Sequence, residues 1–148
     1  MIQYKDGRLH IPGISFPIPE GFYFYTDVDS VSDNYLHFLS PDQSYSLSYQ
    51  TTSSTCGNPQ KDLEIMIRDT GGRSRQKPTP IIVNGLKCCH ALYGGGEELY
   101  YELRIQNPVR HDDYEQLILL IMCDEHTDIM SIIGSGEVKA VINGIRPE

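Results

Sequence analysis

The sequence predicts an α+β domain in which a largely antiparallel, twisted sheet is covered on both faces. Three observations predict it. Leu117 to Cys123 contains no polar residue, and a strand apolar on both faces must be covered on both. Two stretches, Asn58 to Ile67 and Ile129 to Ile145, space their apolar residues at helical intervals and can supply cover. Ile81 to Cys123 reads as a three-strand meander with short turns, a connection open to antiparallel neighbours.

The elements follow in order. Ile14, Phe16 and Ile18 alternate with Ser15 and Pro17, the period of a strand with one buried face. Pro17 and Pro19 cannot donate to a ladder, so this is read as an edge strand closed by a Pro-Glu-Gly turn. Tyr23 to Thr26 reads as a second short strand, and Asp27 to Asn34 as polar loop. Tyr35 to Leu39 and Ser44 to Gln50 flank the turn Ser40-Pro41-Asp42-Gln43 and form a hairpin. Asn58 offers an N-cap oxygen and Pro59 sits at the first helical position, where its missing N–H costs nothing. Leu63, Met66 and Ile67 then mark a helix that Gly71-Gly72 stops. Arg73 to Pro80 reads as an exposed basic connection.

In the meander, Asn84-Gly85 signals a turn or bulge, and Gly94-Gly95-Gly96 a tight hairpin turn leading to the return strand Glu98 to Gln106. Tyr114 to Cys123 is the last strand. Near the C-terminus the apolar stripe is interrupted by Gly134 and Gly136, each costing about 1 kcal/mol in a helix interior. The spacing therefore predicts a segment near 127–133, a break, and a helix capped by Ser135.

Charge and cysteines bound the function. The formal net charge is −8, and the two halves of the chain share the acidic excess equally. Nucleic acid and anionic lipid both require a basic surface, so neither is expected as a partner. No apolar stretch of signal-peptide length follows a basic start, and the longest apolar run is far below the ~20 residues of a membrane span, so a cytoplasmic protein is expected. Cys56, Cys88, Cys89 and Cys123 form no C-x-x-C pair and read as reduced, buried thiols.

The element order, with "FPIPEGF" at 16–22, "NPQKDLEIMI" opening a helix and "VNG" at 83–85, resembles the PsbP-like α/β/α sandwich, and more narrowly its bacterial DcrB-type branch. The resemblance implies one domain over residues 1–148, built as a three-layer α/β/α sandwich. It also implies a binder, adaptor or chaperone, since characterised relatives are mostly non-enzymatic. No functional motif is shared, so the resemblance transfers no site residue.

Candidate chemistry was weighed against plainer readings. Cys88, Cys89 and His90 could join Cys123, Asp124 and His126 in a zinc site. A turn over Gly94 to Gly96 places Cys88 opposite Glu102, His90 opposite Tyr100 and Cys123 opposite Glu97. With strands about 4.8 Å apart, that separates the thiols beyond metal reach. Gly134-Ser135-Gly136 lacks the flanks of a nucleophile elbow, and a helix cap accounts for Ser135. Gly94 to Glu97 lacks the Lys-Ser/Thr of a phosphate loop. Asp27, Asp29 and Asp33 alternate like calcium ligands but lack the central Gly and closing Glu of an EF-hand, which leaves a solvated loop. No catalytic residue, cofactor or metal is assigned.

The reading is a non-catalytic binding, adaptor or chaperone-like protein whose partner is another protein. The alternative is a small enzyme or ligand carrier with a pocket between sheet and helix, using His37, His90 or a cysteine. The candidate partner surface is Tyr93, Tyr100, Glu102 and Arg104, which strand alternation puts on one polar face. The competing reading lays the second helix over this row, with Glu102 and Arg104 paired at its margin.

Overall fold

A computed structural model describes residues 2–24, 34–53 and 57–148. Eleven strands and three helices follow in the order β1 (Gln3–Lys5), β2 (Arg8–Ile11), β3 (Ile14–Pro17), β4 (Tyr23–Phe24), β5 (Tyr35–Leu39), β6 (Tyr45–Thr52), α1 (Pro59–Asp69), β7 (Arg73–Val83), β8 (Leu86–Gly95), β9 (Glu98–Gln106), β10 (Gln116–Asp124), α2 (Ile129–Ile133), α3 (Gly136–Asn143) and β11 (Arg146–Pro147). They form a seven-stranded sheet ordered β4-β5-β6-β10-β9-β8-β7 and a four-stranded sheet ordered β1-β2-β3-β11. Every strand pair is antiparallel.

The three-layer α/β/α sandwich is corrected by this topology. The N-terminal segment pairs with itself and with β11 instead of joining the large sheet. Leu9, Ile11, Ile14 and Phe16 are thereby turned onto the inner face of the large sheet, where a helix layer was expected. Phe16 packs against Tyr49 of β6 at 4.6 Å between ring centres, and the Tyr49 hydroxyl donates to the Pro17 carbonyl at 2.7 Å. The helices α2 and α3 are too short to cover that face alone and fill in beside the small sheet through Ile129, Ile132, Val138 and Val141. β3 is accordingly an interior strand rather than an edge. Pro17 lies beyond the two-residue reach of β11, so its missing N–H breaks no bond there.

β10 is the central strand of the large sheet, which is why its sequence is apolar throughout. Leu117, Leu119, Ile121 and Cys123 are buried in the main core. On the other face Ile118 is buried, whereas Leu120 and Met122 are half-buried, so this face is covered in part. Its helix, α1, packs on β7, β8 and β9.

Local signals placed several elements. Asn58 Oδ1 accepts from the Gln60 and Lys61 amides at 2.9 and 3.2 Å, with Pro59 at the first helical position. Asp128 caps α2, and Ser135 caps α3 by accepting from the Val138 amide at 3.3 Å. The β5–β6 hairpin forms as the alternation indicates. Arg73 to Pro80 is a correction: it belongs to the eleven-residue edge strand β7, with two register shifts at its bulges. Of the expected loop Asp27 to Asn34, all but Asn34 lies outside the described residues, as do Tyr25, Thr26 and Cys56.

The β8–β9 turn also differs from expectation. Gly94 and Gly95 are strand residues, and Gly95 pairs with Glu98, so the turn is Gly96-Glu97. Cys88 therefore faces Ile105 and His90 faces Leu103, while Cys123 faces Leu99. The β8–β9 register lies three residues, and the β10–β9 register two, from the one read off the triple glycine.

Candidate functional site

Alternation along β8 and β9 puts Cys89, Ala91 and Tyr93 beside Arg104, Glu102 and Tyr100 on the outer face of the large sheet. The structure thus brings the four candidate residues Tyr93, Tyr100, Glu102 and Arg104 together. It also lays α1 over them: Leu63 and Ile67 seal against Cys89, Ala91 and Tyr93, with Met66 and Tyr100 at the margin. The covering helix is the first of the chain, not the second. Glu102 and Tyr93 are buried, and the side chains of Arg104 and Glu102 are 11% and 5% exposed.

A continuous hydrogen-bonded chain runs beneath the helix. Gln116 Nε2 donates to Asp62 Oδ2 at 2.7 Å, and Arg104 Nη1 donates to Gln116 Oε1 at 3.3 Å. Arg104 Nε donates to Glu102 Oε2 at 2.6 Å, and the Tyr93 hydroxyl donates to Glu102 Oε1 at 2.7 Å. The Tyr93 ring stacks on Tyr100 at 5.1 Å, and the Tyr100 hydroxyl donates to Glu98 at 2.6 Å. Burial and then the neighbouring Glu102 carboxylate push the Tyr93 phenol far above its ordinary range. Tyr100 is pushed up to about 12, first by its bond to Glu98. Each oxygen of the Glu102 carboxylate thus accepts one bond from a protein donor beneath the helix.

Asp62 and Gln116 complete the network and were not singled out from the sequence. A signal existed for Asp62: it shares the helical stripe of Pro59, Leu63 and Met66, and so points at the sheet. Gln116 adjoins the apolar run of β10 and is buried at 1% exposure.

The cysteines are dispersed. Cys88 and Cys123 lie in the main core and Cys89 lies under α1. Among the described residues no group of three or more His, Cys, Asp or Glu side chains is placed to hold a metal ion. Burial pushes the Cys88 and Cys89 thiols up to about 12 and about 11, and raises Cys123 as well. The folded state keeps protons that the unfolded chain releases from about pH 8.5 upward. The stability these thiols contribute is complete below that pH and is lost as pH rises toward 11–12. The urea midpoint of the Cys56→Ser protein should therefore fall steadily from pH 8 to 11. Its three remaining thiols should resist a thiol reagent at pH 8 until urea unfolds the chain. Rapid labelling of the folded protein would contradict this.

Of the two imidazoles named in the alternative reading, His90 Nδ1 lies 2.9 Å from the Tyr101 hydroxyl, and burial lowers its pKa. His37 is half-buried on β5, and burial lowers its pKa too. Concavities open at the surface, one of about 260 Å³ beside Tyr93, Tyr100 and Met66, and one of about 400 Å³ around Gln106 to Asp112. Among the described residues no helix is long and apolar enough to cross a membrane.

No family model matches the chain, and no curated protein matches it. Among solved structures it is similar to a protein of Bacteroides thetaiotaomicron VPI-5482, with a TM-score of 0.53 and 10% identity over 96% of this chain. The chain spans about half of that protein, 48% of its length. It is also similar to LpqN of Mycobacterium tuberculosis, a protein involved in cell envelope biogenesis, with a TM-score of 0.52 and 10% identity. That match covers 93% of this chain and 86% of LpqN. At such identity the likeness establishes a shared fold.

Proposed function

We propose that the chain is a non-catalytic binding or adaptor domain that engages another protein. The observation carrying this reading is the closed state of the buried polar network. Glu102 accepts from Tyr93 and Arg104, Arg104 also donates to Gln116, and Gln116 donates to Asp62 of α1, so the cluster fixes α1 to the sheet. The PsbP-like resemblance, whose implication is binding, supports the same reading. Under α1 the side chains of Leu63, Ile67, Cys89 and Ala91 pack together, so a carried ligand would have only the surface concavity beside Met66, Tyr93 and Tyr100 among the described residues that lie between this helix and the sheet.

The test is reconstitution. Proteins cross-linked to the chain in native lysate should be purified singly and mixed with it. At least one should co-elute with it as a complex of fixed stoichiometry. Failure of every captured protein to reconstitute overturns the reading. So does turnover of a small-molecule substrate by the purified chain that Glu102→Gln abolishes.

A further inference from the structure

We propose that the concavity between the C-terminal end of α1 and the β8–β9 turn is the anchor pocket for an arginine side chain of a protein partner; this rests on the protein-binding reading above and names the residue that the partner inserts. The concavity holds about 260 Å³ and is lined by Met66 and Thr70 beside Tyr93, Gly95 and Tyr100. That is below the roughly 300–1,000 Å³ of small-molecule pockets and suits a single side chain. Gly95 brings bare backbone up to the ring of Tyr100, since a Cβ there would stand 3.2 Å from Tyr100 Cε2.

The surroundings carry uncompensated negative charge. Strand alternation puts Glu98 on the outer face with Tyr93 and Tyr100, directly across the ladder from Gly95. Glu97 is exposed in the adjoining turn. Neither carboxylate has an ion pair among the described residues. The neighbouring cations are engaged: Arg104 with Glu102 and Gln116, Arg68 with Asp69 at 3.2 Å, and Arg73 with the Gly96 carbonyl at 3.2 Å. The C-terminal end of α1, the negative end of its dipole, adds to the same field.

The tyrosines make this field selective. Tyr93 donates its hydroxyl to Glu102 at 2.7 Å and Tyr100 donates to Glu98 at 2.6 Å. A phenol polarised by a carboxylate presents a more negative ring face, which attracts a cation. Tyr100 is half-buried, so part of its ring stays open to a ligand. Glu98 Oε2 takes the Tyr100 hydroxyl, which leaves Oε1 for an incoming donor. A guanidinium can stack on the ring and reach this oxygen through its N–H fork, which an ammonium cannot do. Met66 offers its thioether to the aliphatic stem behind that head.

The probe is N-acetyl-arginine methylamide, titrated into the isotope-labelled full chain. It should saturate with a Kd of about 1 mM, the scale of a one-side-chain ligand, and move the Gly72 and Gly95 amides and the Met66 methyl. The neutral citrulline analogue should bind about tenfold more weakly, as should tetramethylammonium, a cation without N–H donors. Glu98→Gln and Tyr100→Leu should each weaken the arginine probe about tenfold, with amide signals away from the pocket unmoved. Should the leucine protein not fold, Glu98→Gln decides. Absence of saturation, equal binding of citrulline or tetramethylammonium, or full affinity in Glu98→Gln overturns the proposal. A reconstituted partner complex that keeps its full affinity in Glu98→Gln overturns this pocket as the anchor while leaving the protein-binding reading intact.

Discussion

Arg104→Ala should destabilise the protein by about 3–5 kcal/mol, the range for removing one partner of a buried ion pair. The Glu102 carboxylate, 5% exposed, would keep the Tyr93 hydroxyl as its remaining donor in the network, and Gln116 Oε1 would lose its own. Neither group can recover its hydration while α1 stays seated. Arg104→Lys restores charge but not the fork that reaches Glu102 and Gln116 at once, so it should fall between the two. Adding Glu102→Gln to Arg104→Ala should recover part of the loss, because it removes the stranded charge. Urea unfolding measures all four proteins. A loss below about 1 kcal/mol for Arg104→Ala is the level of a surface pair. It would mean that water reaches the network and that α1 is not clamped by it.

The elements that were legible in the sequence are those whose signals are local. Asn58-Pro59 and Ser135 act on amides two or three residues away, and α1 and α3 start where these residues stand; Asp128, which the sequence reading did not single out, caps α2 in the same way. The four-stranded sheet left no such trace. β11 is the pair Arg146-Pro147, and its pairing with Ser15 and Ile14 spans nearly the whole chain. Nothing local in a two-residue segment containing proline distinguishes a strand from a tail. The helix expected on the inner face was therefore a reasonable inference from Leu117 to Cys123, and the pairing of β3 with β2 and β11 displaced it.

At the candidate site, alternation correctly grouped Tyr100, Glu102 and Arg104 with Cys89, Ala91 and Tyr93. What it could not supply was depth. A polar row on one strand face is equally consistent with solvent and with a buried network, and the decision rests on a helix from elsewhere in the chain. The triple glycine compounded the difficulty. Without side chains, Gly94 and Gly95 give no packing signal to separate strand from turn, and Gly96, with φ of +65°, alone marks the bend.

Gly13→Ala should cost about 3 kcal/mol, the combined scale of backbone strain and a broken buried hydrogen bond. Gly13 turns the chain between β2 and β3 at φ of +93°, a conformation an alanine adopts only under strain. A Cβ there would stand 2.3 Å from Asn107 Oδ1 and 2.9 Å from the Val109 side chain. Asn107 cannot retreat freely. Its Nδ2 donates to the Pro12 carbonyl at 2.6 Å and to the Tyr114 carbonyl at 2.8 Å, and its Oδ1 accepts from the Val109 amide at 3.0 Å. This buried amide joins the small sheet to the β9–β10 connection, so displacing it loosens the contact between the sheets. The two contributions can be separated. In an Asn107→Ala background the 2.3 Å clash with Oδ1 is gone, and Gly13→Ala should then cost the backbone strain and the 2.9 Å contact with Val109, clearly less than its effect in the native background. Equal costs in both backgrounds would show that Asn107 gives way without loss, and that it does not bolt the two sheets together.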